Sequence, residues 1–122
     1  MEVNMKESMP EECRGVDFNQ AVDRLPGHLG ELFLTAGEQR LADLDKAMAS
    51  GNAPAVMDAA HSLASITGLL PIRELEVYAR EIYAAGERNE LATAKTAHER
   101  LDIVMGWVLA RLRIRGTVPN AS

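Results

Sequence analysis

A chain of 122 residues with a formal net charge of -5 and one cysteine excludes several classes at once. A nucleic-acid binder would need a basic stripe, and an intrachain disulfide or a cysteine-based zinc site would need more thiols. No run of about 18 apolar residues exists to cross a membrane, and the N-terminus is acidic and polar, unlike a signal peptide. The expectation is a single cytoplasmic domain, monomeric, with neither membrane nor nucleic acid among its partners.

Aromatic residues make up only 4% of the chain, so the core must come from Leu, Ala, Val, Ile and Met. That composition suits helices better than strands, and no period-2 segment with hairpin signals is present. Residues 1–15 are polar, contain Pro10 and lack periodicity, and read as a flexible N-terminal tail. A short helix follows over Val16 to Leu25, with Asp17 as N-cap, Phe18, Ala21, Val22 and Leu25 on its apolar side, and Pro26-Gly27 as its stop. A long helix then runs from about His28 to Ser50, its apolar face carrying Leu29, Leu32, Phe33, Ala36, Leu41, Leu44 and Met48. Gly30 and Gly37 weaken it or admit a neighbouring helix, and Gly51-Asn52 ends it.

Asn52 caps the next helix, Pro54 is tolerated in its first turn, and it ends near Leu70. Pro71 cannot continue that helix but can open the following one. Ile72, Leu75, Ala79, Ile82 and Ala85 or Tyr83 form the apolar stripe there, and Gly86 closes it. The last helix spans about Asn89 to Arg115, with Leu91, Ala94, Ala97, Leu101, Val104, Val108 and Leu112 along one face. Gly116 is set to cap it, and residues 116–122 form a C-terminal tail. The arginines at 111, 113 and 115 are where a helix C-terminus favours cations. The expected fold is all-α: an antiparallel up-down four-helix bundle over residues 16–115 with a short additional N-terminal helix.

His61 is the residue with the most chemistry on offer. At about 100° per residue, Val56, Ala59, Leu63, Ile66 and Leu70 share one face, and His61 falls roughly opposite it. Its helical neighbours are Met57, Ala64, Ser65 and Gly68, of which three are small, so the ring should be open to another protein. Imidazole has a reference pKa of about 6.5 and is a competent nucleophile at neutral pH. Phosphoryl transfer asks for little beyond positioning and charge stabilisation. His28 reads as a helix-start residue, and His98 as packed or partly exposed and structural. No His-x-x-x-His or Glu-x-x-His spacing supports a metal, and phosphate-loop, dinucleotide and Gly-x-Ser-x-Gly motifs are missing. No metal or cofactor is expected on this chain.

The run Ala59-Ala60-His61-Ser62-Leu63-Ala64-Ser65 resembles the histidine-containing phosphotransfer (HPt) domain of bacterial two-component phosphorelays. That family reads Ala-His-Ser/Thr-Leu-Lys-Gly within the second long helix of a bundle. The likeness extends over about Val16 to Arg113: a short leading helix, a long helix ending Ala-x-x-x-Ala/Ser-Gly-Asn/Asp, and a further helix after the motif. The resemblance implies that His61 accepts a phosphoryl group on Nε2 from the aspartate of a receiver domain and passes it on. It also implies that Mg²⁺ and the acidic cluster belong to the response-regulator receiver, or to a hybrid histidine kinase carrying one. Such a chain is a carrier and not an enzyme. Met57, Ala64, Ser65 and Gly68 would form the docking surface around His61. Ser65 stands where the family commonly has glycine, and Pro71 where glycine is usual. Ala64 stands where the family has a lysine whose charge would hold the incoming phosphoryl oxygens, and Arg73 is not expected to replace it. The alternatives are a degenerate module that docks a receiver or kinase without accepting phosphate, and an unrelated helical adaptor.

Overall fold

A computed structural model describes residues 9–117, all of whose regular structure is helical. After a 3₁₀ turn at Glu11–Cys13 come α1 (Phe18–Asp23), α2 (Gly27–Ser50), α3 (Ala53–Thr67), α4 (Arg73–Glu87) and α5 (Leu91–Thr117). The boundaries follow from local chemistry. The Asp17 carboxylate accepts from the Gln20 N–H, and the Asn52 side chain accepts from the Ala55 N–H, each satisfying a donor that a helix start leaves open. Gly51 ends α2 at φ 69°, a left-handed turn that costs glycine nothing.

α2 packs against α3, α3 against α4, α4 against α5, and α5 returns to α2. The core is aliphatic, with Phe33, Leu44, Leu63, Leu75, Ile82, Leu101 and Met105 fully buried. Two glycines bring α2 and α5 together. A Cβ on Gly37 would meet Leu109 at 3.2 Å and Met105 at 3.3 Å, and one on Gly30 would meet Leu112 at 3.4 Å. The buried line of α2 therefore runs Gly30, Phe33, Gly37, Leu44, Ala47, and Leu32 faces water.

At 1.5 Å per residue, α2 and α5 are about 36 and 40 Å long, whereas α3 and α4 are about 22 Å. The overhanging end is covered by α1. Phe18 stacks on Trp107 with ring centroids 6.2 Å apart. Arg111 holds the Asp23 carboxylate through two bonds of 3.1 and 2.7 Å, which keeps that carboxyl below its ordinary pKa. Arg115 donates to the carbonyls of Val22 and Leu25 at 2.7 and 3.0 Å, which ties the chain leaving α1 to α5.

The structure departs from the sequence-based expectations at several points. Residues 1–8 lie outside the described residues, but 9–15 are not a tail: Met9 and Cys13 are buried. Tyr78 on α4 holds this segment, its hydroxyl donating to Glu12 at 2.7 Å and lying 3.4 Å from the Cys13 sulfur. Pro71 does not open α4. It precedes the N-cap residue Ile72, and the five-residue link buries Leu70 and Ile72 instead. Gly86 does not end α4 either; the left-handed residue there is Asn89, at φ 55°. α5 runs through Gly116 to Thr117, and residues 118–122 lie outside the described residues.

Gly86 lies where α4 meets the start of α3. A Cβ there would lie 2.8 Å from Met57 Cγ and 3.4 Å from the Ala53 carbonyl oxygen. Gly68, by contrast, ends α3 at φ -64° with open space around it. Gly86→Ala should therefore destabilise the fold by about 1–2 kcal/mol through overpacking. Gly68→Ala should stabilise it by up to about 1 kcal/mol through the unfolded chain. Urea unfolding of the two variants checks both signs.

The Tyr78 hydroxyl holds the Glu12 carboxyl below its ordinary pKa, with Arg100 adding to the effect. A lowered carboxylate stabilises the fold at neutral pH, and that contribution is lost as pH falls through the lowered value. The stability difference between the wild type and Tyr78→Phe should accordingly shrink between pH 6 and pH 3, measured by urea unfolding across that range.

Candidate functional site

α3 buries Val56, Ala59, Ala60, Leu63 and Thr67. Thr67 turns its hydroxyl back to the Ala64 carbonyl at 3.2 Å, which lets a polar residue occupy a core position. Ile66, read from the periodicity as part of the buried stripe, is only half-buried. The observed buried face is thus rotated by about 30° from the expected one at 100° per residue. His61 remains exposed, and the rotation tips its ring toward α4.

There it meets an aromatic neighbour absent from its own helix. The imidazole and the Tyr83 ring are 6.1 Å apart between centroids and inclined at 51°. The two form part of an open depression of about 350 Å³ between α3 and α4, together with Ala60, Ala64, Ser65, Glu76, Ala79 and Arg80. Alanines form its floor, since Ala60 and Ala79 are fully buried. Among the described residues no hydrogen bond or ion pair engages the His61 ring. The Ser65 hydroxyl donates to the His61 carbonyl at 3.1 Å and so is committed to the backbone.

Of the four residues expected around His61, Ala64 and Ser65 line this depression with it. Met57 is half-buried, its Cγ lying over Gly86, so its side chain is spent on joining α3 to α4. Gly68 lies exposed at the end of α3, outside the depression. Sequence reasoning missed Glu76, Arg80 and Tyr83, which come from α4. Their spacing of four and three residues marks one helical face, but nothing in the sequence tells which face turns to His61.

Among the described residues Arg80 is the one Lys or Arg lining the depression. It pairs with Glu76 one turn earlier at 2.5 Å, and its side chain is 74% exposed. An exposed i,i+4 pair contributes only about 0.3–0.5 kcal/mol, so little holds the guanidinium to Glu76 when a stronger anion arrives. The site thus offers an accessible imidazole, a recruitable guanidinium and an aromatic wall. That set can hold a dianionic tetrahedral group next to a nitrogen nucleophile.

No family model matches this chain, and no curated protein or solved structure matches it either. Among the described residues no helix is long and apolar enough to cross a membrane.

The three histidines differ in environment: His28 and His61 are exposed, while His98 is 16% exposed and bonded to Asp45. Diethyl pyrocarbonate should therefore modify His28 and His61 quickly and His98 several-fold more slowly. Peptide mapping over a time course checks the order.

Proposed function

We propose that this chain is an HPt-like phosphocarrier, with His61 taking a phosphoryl group from the aspartate of a receiver domain or giving it back. The scaffold would be an antiparallel up-down four-helix bundle of α2 to α5, with α1 as an additional short helix. Support for that architecture is the cyclic packing order and the short links at 51–52, 68–72 and 88–90, which favour reversal at each connection.

The observation that carries the functional reading is the pairing of an unengaged, exposed imidazole with Arg80 in one depression. In the proposed step the Nε2 lone pair attacks phosphorus of the acyl phosphate. The new N–P bond forms as the P–O bond to the aspartate breaks, and the carboxylate leaves with the electron pair. The imidazole ring, protonated on Nδ1, shares the positive charge that develops. Arg80 leaves Glu76 to bond the equatorial phosphoryl oxygens, supplying from α4 the charge that Ala64 lacks on α3. Tyr83 limits the swing of the ring and screens one side of the N–P bond from water. The partner brings its own acidic cluster and Mg²⁺, so catalytic turnover belongs to the partner.

Incubation with a phosphorylated receiver domain tests this. A label that is acid-labile, base-stable and lost in His61→Gln is expected, with cooperative unfolding of that variant unchanged because the ring faces water. Arg80→Gln should slow labelling by about tenfold, and Ala64→Lys in the same chain should restore most of it. Binding to the receiver without any label would support the docking module instead. Labelling that ignores Arg80 would remove the guanidinium from the account.

A further inference from the structure

A second cluster spans α2 and α5, on the seam remote from the α3–α4 depression. His98 and Asp102 are one turn apart on α5 and project to the same side. Asp45 reaches them from α2. The His98 Nε2 atom lies 2.6 Å from Asp45 Oδ1 and 3.4 Å from Asp102 Oδ2, and one donor atom from each residue lies within 4.8 Å of the others. A single ring nitrogen thus faces two carboxylates. The remaining oxygen, Asp102 Oδ1, is shut off from solvent and has no hydrogen-bond partner.

We propose that Asp45, His98 and Asp102 form a site for a first-row divalent cation, with Zn²⁺ as the fitting probe. The donor set is one imidazole nitrogen and two carboxylate oxygens, which Zn²⁺ accepts and whose two negative charges match the ion. With metal–ligand bonds of about 2.0–2.1 Å, the edge of a tetrahedron is about 3.3 Å. The Nε2–Asp102 distance of 3.4 Å already fits that edge. The Nε2–Asp45 distance of 2.6 Å must open by about 0.7 Å, and the Asp45 side chain, 49% exposed, is free to make that swing. Water fills the fourth position. The ion would join α2 to α5 and stabilise the folded chain by mass action. This site stands apart from the phosphocarrier reading and neither depends on the other.

Isothermal titration of the metal-free chain with ZnCl₂ at pH 7.5, paired with thermal unfolding, tests the site. Expected are one bound ion per chain, a Tm that rises with Zn²⁺ and returns on adding EDTA, and no rise with the same concentration of MgCl₂. His98→Asn and Asp45→Asn should each weaken binding at least tenfold, whereas His61→Gln should leave it unchanged. Asp45, being half-exposed, supplies the variant whose fold is least at risk, with circular dichroism as the check. A Co²⁺ d–d absorption that appears in the wild type and is lost in both variants would identify the ligands directly. No Zn²⁺-dependent rise in Tm, or binding that survives both substitutions, would reduce the cluster to an ion pair between two helices.

Discussion

The close approach of α3 and α4 is the constraint on which the His61 face depends. Gly86 lets Met57 lie against the α4 backbone, where even a methyl group would stand 2.8 Å from Met57 Cγ. Ala60 and Ala79 keep the seam shallow further along. With larger residues the helices would separate, and Tyr83 and Arg80 would move away from the imidazole. Small residues here are thus a packing device first, and their consequence is an open depression with a charged rim. The stability of the seam and the geometry of the site are the same physical fact.

A second division of labour runs along the long helices. α2 and α5 outreach α3 and α4, and their overhang would expose apolar surface without α1. Arg111 and Arg115 anchor that cover, one by a carboxylate and one by backbone carbonyls. The arginines near the chain end are therefore mostly engaged within the fold, Arg113 with Glu38 included. This accounts for a basic cluster in an acidic chain without invoking a polyanionic partner.

Much of the fold was legible because its signals are local. Asp17 and Asn52 cap where a carboxylate and an amide can reach an N–H three residues on, and Gly51 turns left-handed where only glycine does so freely. The α5 stripe from Ala94 to Leu112 is plain periodicity. What stayed hidden is non-local. Glu12 and Cys13 are held by Tyr78, more than sixty residues away, and no local pattern marks the polar segment around them as packed. Gly86 looks like a helix stop in sequence because a close-approach glycine and a capping glycine are spelled alike. At the site, the exposure of His61 followed from its angle to the apolar stripe. Arg80 and Tyr83 did not, because the register between α3 and α4 is set by the Gly86–Met57 contact. The Asp45–His98–Asp102 cluster was half visible: His98 and Asp102 share the one-turn spacing, but Asp45 belongs to another helix.

As a phosphocarrier, the chain would have its reactive nitrogen on one residue, His61, with that reactivity a property of the open α3–α4 face. The most direct measurement is ³¹P NMR of the chain treated with phosphoramidate, a small donor that needs no partner, with ¹H–¹⁵N correlation to assign the modified ring. The account predicts a single phosphohistidine signal on Nε2 of His61, weakened in Arg80→Gln and discharged when an unphosphorylated receiver domain is added. Phosphorylation of His28 in preference to His61, or a His61 signal that no receiver discharges, would contradict it.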